Sequence, residues 1–103
     1  MSLFDRAMSF NYGDDERAEL MRKVWTATPY MTNCNTGSDP YEKDREILLW
    51  CYDRWGDQAS PIHGRAGRWQ RGHATVFGWT WFGFETAEML AEFEATWECR
   101  DDI

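Results

Sequence analysis

The sequence contains no Gly-x-Gly-x-x-Gly, no phosphate-loop Gly-Lys-Ser/Thr, no His-Glu-x-x-His and no Gly-x-Ser-x-Gly. Their absence removes the usual signatures of dinucleotide binding, nucleotide-phosphate binding, zinc proteolysis and serine hydrolysis. Histidine is scarce, His63 and His73 being the only two. Cys34, Cys51 and Cys99 are odd in number, widely spaced and never arranged as Cys-x-x-Cys. This is a poor disulfide framework and a poor zinc ligand set, so neither a metal nor another cofactor is expected. No apolar run approaches the roughly 20 residues of a membrane-spanning helix. The start, MSLFDRAMSFNYGDDE, carries acids where a secretory leader has a basic and then an apolar region. The expectation is a cytoplasmic protein with no membrane association.

Aromatic residues are abundant instead. Seven Trp, six Phe and four Tyr stand among 103 residues, more than a core of this size can shelter completely. Acids outnumber bases, giving a net charge of −7, which argues against general binding to nucleic-acid phosphates. The charge is uneven, however. Residues 1–62 hold seven basic and eleven acidic residues, residues 63–84 hold three arginines and no acid, and residues 85–103 hold one arginine and seven acids.

Residues 1–20 read as an N-terminal arm or short helix, with Asp14 or Asp15 as a cap, and residues 21–103 as one compact domain. MRKVWTATPYM, residues 21–31, is rich in β-formers and predicts a strand ending near Pro29, followed by a loop over TNCNTGSD. Asp39, Pro40 and Glu42 supply the cap, first-turn proline and capping-box acid of a helix from Pro40 to Trp55, which Gly56 stops. DQASPIHGRAG reads as a loop and GRWQRG as a short strand turning near Gly72. Val76–Phe84, VFGWTWFGF, predicts a strand with Phe77, Trp79 and Trp81 on one side and Val76, Thr80, Phe82 and Phe84 on the other. Thr86 caps a second helix, and ATWEC suggests a last strand.

Strand, helix, strand, strand, helix, strand is the order of an α+β fold of the ferredoxin-like or split β-α-β kind, a four-stranded antiparallel sheet with two helices on one face. The other face of such a sheet is open. An aromatic strand apolar on both sides therefore predicts that this second face is covered, by the N-terminal arm, by a second copy or by a target, and gives a reason to expect binding or self-association there.

Trp50, Cys51, Trp55 and Gly56 near the end of the first helix, and Glu85, Ala87, Phe93 and Trp97 after the aromatic strand, resemble elements of small uncharacterised proteins of tailed bacteriophages. The resemblance spans roughly residues 21–98. An acidic pair expected before the alanine is replaced by Glu85 and Thr86. It implies phage origin, a compact α/β fold and the host cytoplasm, and implies no activity.

A catalytic pair of Cys34 or Cys51 with His63 or His73 exists on paper, as it does in most chains with such residues, and Asp53 and Asp57 read as solvated. The chain is therefore expected not to be an enzyme. The candidate interaction residues are Arg65, Arg68, Trp69 and Arg71 of the basic segment, Trp79 and Trp81 of the aromatic strand, and Glu85, Glu88 and Glu92 of an acidic helical stripe. The basic segment also reads as a solvated hairpin, and the stripe as the wet side of a helix. Two functions follow: a phage accessory protein that binds, and in one form inhibits, a host or viral macromolecule, or a homo-oligomeric viral structural or assembly component. A protein partner fits best, direct nucleic-acid binding less well, and a homodimer would form through the sheet face.

Overall fold

A computed structural model describes residues 14–37 and 42–100. Over the described residues the fold is α+β, with three α-helices and one four-stranded antiparallel sheet. The elements run α1 (Asp14–Ala27), β1 (Tyr30–Asn35), α2 (Glu42–Trp55), a 3-10 turn (Pro61–His63), β2 (Trp69–Val76), β3 (Trp79–Phe84), α3 (Ala87–Thr96) and β4 (Cys99–Arg100). The strands lie in the order β2-β3-β1-β4, with all neighbours antiparallel. From β1 onward this is the strand order that a split β-α-β connection produces. Helix α1 is an addition ahead of it.

The expected strand over 21–31 is corrected. Its first seven residues complete α1, and the strand begins at Tyr30 and takes in TNCN, which had read as loop. Val24, Thr26 and Thr28 favour a strand by propensity, but Leu20, Met21 and Val24 recur at helical spacing and pack on the sheet. Packing decides, and Pro29 acts as a helix stop. Helix α1 also runs through the boundary expected at residue 20. The Asp39 and Pro40 cap lies outside the described residues, while Gly56 ends α2 in the left-handed region at φ +78°.

Two further boundaries move. β2 continues past Gly72 to Val76, and the turn falls instead at Phe77 and Gly78, whose φ values of 52° and 83° are the paired positive values of a type I′ hairpin. The last strand is displaced to Cys99–Arg100, because α3 extends through Thr96. Thr86 caps α3 as expected, its side chain accepting from the Met89 amide at 3.2 Å.

The main core joins Ile47 and Cys51 of α2 and Met89 and Phe93 of α3 to Cys34, Trp69, Phe82 and Phe84 of the sheet. Phe93 lies 4.9 Å from both Phe82 and Phe84, ring centre to ring centre, and its burial contributes about 2–3 kcal/mol. Trp50 fills the seam between the helices, meeting Trp55, Phe93 and Trp97 edge to face. A second, smaller core forms where Val24 of α1 meets Trp81, with Leu20, Met21, Met31 and Ile62 around them. Trp81 and Phe82 alternate along β3, so the two cores lie on opposite faces of one strand. Of the three candidate covers for the second face, it is the N-terminal part of the chain, as helix α1, that packs on it at Trp81.

Candidate functional site

β2 is an edge strand, and the segment before it is built onto that edge. The Ala59 amide donates to the Trp69 carbonyl at 2.8 Å, and the Arg71 amide donates to Gln58 Oε1 at 2.7 Å. Residues 60–65 close on themselves through reciprocal backbone bonds between Ser60 and Arg65, with Gly64 turning the chain at φ +69°. Gly67 lies so close to this loop that a Cβ there would stand 2.7 Å from Ala59 Cα and 2.8 Å from the Asp57 carbonyl oxygen.

A cleft of about 980 Å³ opens beside this edge. Asp44, Asp57, His63, Arg65, Arg71 and His73 are the acidic, basic and imidazole side chains of its lining. Arg71 is held in place, Nε donating to Asp44 Oδ1 at 2.9 Å and Nη1 to the Gly72 carbonyl at 2.8 Å. Both members of that ion pair are mostly shielded, so removing one would leave the other poorly solvated. Ser60 Oγ and His63 Nδ1 share a hydrogen bond of 2.7 Å. The exposed Arg65 guanidinium has no ion-pair or side-chain hydrogen-bond partner among the described residues.

Beyond the cleft, β2 loses register with β3. Arg71 pairs with Phe82 and Thr75 with Thr80, so Gly72, His73 and Ala74 stand opposite Trp81 alone. This bulge exposes His73, Ala74 and Thr75 along the edge. The hairpin then ends at Phe77, which is 92% exposed and has the only positive φ of any described residue other than glycine.

The sequence-derived candidates fall in different settings and do not form one surface. Arg65, Arg68 and Glu88 are exposed, and Arg68 stands 3.8 Å from Glu85, so the basic segment and the acidic helix partly neutralise one another. Glu92 pairs with Arg54 of α2, making one end of the expected stripe a brace between helices. Trp69 and Trp81 are buried. Trp69 is completely enclosed and its indole N–H donates to the Gly56 carbonyl at 2.9 Å, so both rings serve the cores and present no face to a partner. Trp79 is half-buried, with Arg100 at 5.6 Å from its ring centre.

Phe77 had read as one more residue of a two-sided strand. The Phe-Gly pair between Val76 and Trp79 was its available signal, since a two-residue turn with Gly second is a hairpin pattern. Among the described residues no group of three or more His, Cys, Asp or Glu is arranged to hold a metal ion, and no helix is long and apolar enough to cross a membrane. Comparison of the chain with protein-family models, with curated proteins and with solved structures finds no match in any of the three.

Proposed function

We propose that this chain is a non-enzymatic binding domain that engages a protein partner along the β2 edge, with Phe77 as the anchor. The observation that carries the reading is Phe77 itself. A bulky side chain in the left-handed region costs about 1–2 kcal/mol, and here the ring gains almost no burial in return. The hairpin turn needs a positive φ there but has no need of a large ring, and an ill-suited side chain kept at such a position points to function. Large aromatic rings are also the side chains that most often dominate protein interfaces.

The rest of the edge suits the same role. The exposed residues His73, Ala74 and Thr75 lie along the edge between the cleft and Phe77, His73 also lines the cleft, and Arg65 stands at that end with no ion-pair partner among the described residues. A partner with an apolar pocket for Phe77 and a carboxylate for Arg65 matches this arrangement, the ring supplying affinity and the charge orientation. The phage accessory role, and inhibition of a host or viral target, enter from the sequence resemblance alone. The homo-oligomeric assembly reading loses the observation that favoured it, because α1 covers Trp81 on the sheet face it required.

The test compares wild type with Phe77→Asn and Arg65→Ala in affinity capture from lysate of infected cells, with and without nuclease treatment. Asparagine accepts the left-handed backbone, so Phe77→Asn keeps the fold while removing the ring. A protein retained by wild type is expected to fall by about tenfold or more with Phe77→Asn and by less with Arg65→Ala. Equal capture by Phe77→Asn, or loss of the captured material upon nuclease treatment, would sink the reading.

A further inference from the structure

The three cysteines, far apart in sequence, converge on the main core. Cys34 of β1 and Cys99 of β4 are direct partners in register. The Asn35 amide donates to the Glu98 carbonyl at 2.9 Å, so the hydrogen bonds of this ladder fall on either side of the cysteine pair. Cys34 and Cys99 therefore form a non-hydrogen-bonded cross-strand pair, the kind whose Cα atoms approach to about 4.5 Å with side chains on the same face. That spacing lies within the roughly 4.4–6.8 Å that a disulfide spans. Cys51 shares the core cluster but lies on α2, outside the ladder.

We propose that Cys34 and Cys99 are a modification site, closing to a cross-strand disulfide when the folded chain meets a small-molecule disulfide such as oxidised glutathione. Cys99 is the half-buried member and Cys34 the fully buried one, so the oxidant reaches Cys99 first. The Cys99 thiolate attacks one sulfur of the oxidant, forming a mixed disulfide and releasing one glutathione thiolate. Cys34 then attacks Cys99 Sγ and expels the second glutathione. Two protein thiols are oxidised, one glutathione disulfide is reduced to two thiols, and the two protein protons leave on those thiols.

The environment sets the order and the pace. The Cys99 thiol beside it, and then burial, raise the Cys34 thiol well above the ordinary thiol range. A thiol held protonated is a slow nucleophile, so closure by Cys34 is the slower step and accelerates as pH rises. The product ties the two-residue edge strand β4 to the interior strand β1.

The experiment incubates the folded full chain with excess oxidised glutathione at pH 8, followed by thiol counting after denaturation and peptide mapping without reductant. The count is expected to fall from three thiols to one, with a Cys34–Cys99 linked peptide and an unmodified Cys51. Exchange of the Asn35 amide should slow at least severalfold in the oxidised protein and return after dithiothreitol. Cys99→Ser, changed at the less buried position so that the core stays intact, should retain two thiols and show no slowing. Three remaining thiols, a lasting glutathione adduct on Cys99, a link through Cys51, or unchanged Asn35 exchange in the linked protein would each overturn the proposal.

Discussion

Single residues carry much of the strain in this molecule. Gly67 stands against the backbone of Asp57 and Ala59, which has no flexible end to yield. Gly67→Ala is expected to destabilise by about 2–4 kcal/mol, measured by urea unfolding, because the edge loop must shift away from β2. Phe77→Asn should move the other way, raising stability by about 0.5–1 kcal/mol as the left-handed strain is relieved. Cys51 adds a pH dependence. Burial raises its thiol from 9.0 to about 12, so the folded chain keeps this proton after the unfolded chain has lost it. The resulting stability is fully present below pH 9 and is lost as pH rises toward 12, at a slope on the order of 1 kcal/mol per pH unit. Urea midpoints from pH 8 to 11 should therefore fall less steeply in Cys51→Ala than in wild type, even though that variant starts lower.

At the scale of elements, what could be read in advance was what is locally encoded. Thr86 announces α3 with a hydrogen bond spanning three residues, and Thr86→Ala should cost about 1 kcal/mol by thermal or urea unfolding. The body of α2 and its stop at Gly56 were legible for the same reason. Helix α1 was not, because its decisive interactions are distant: Gln70 Nε2 donates to the Val24 carbonyl at 3.0 Å and to Thr28 Oγ1 at 2.6 Å, clasping the helix end to β2. Nothing within MRKVWTATP reveals that clasp. The alternation of β3 was readable, but not which side α1 would cover, so Trp81 looked available and is buried. Arg65 could be recognised as part of a basic surface from its neighbours alone. The Cys34–Cys99 pairing could not, since register across 65 positions is a property of the sheet.

For the whole molecule, the central fact is that two cores share one strand. Phe82 and Phe84 face the α2–α3 core while Trp81 faces α1, so neither core can dissolve without loosening β3. Unfolding should be a single cooperative event, with tryptophan fluorescence and far-ultraviolet circular dichroism giving the same urea midpoint. Two separated midpoints would mean that α1 melts independently of the sheet. Trp81→Ala, acting at the junction, should lower stability by about 3–5 kcal/mol while keeping one transition.

The placement of VFGWTWFGF within the sheet also bears on how the chain behaves when concentrated. A β-rich, aromatic and uncharged stretch of this kind is the raw material of fibril nuclei if its backbone is presented to other chains. Here β3 has β2 on one side and β1 on the other, so its residues are already paired across both flanks. The outermost strand on one side is interrupted by the bulge and flanked by the 58–60 loop, and on the other side it spans two of the described residues. Among the described residues, neither border offers a long, flat template for lateral stacking. The body of that stretch, Trp79–Phe84, is thus sequestered by its own neighbours for as long as the sheet remains closed around it.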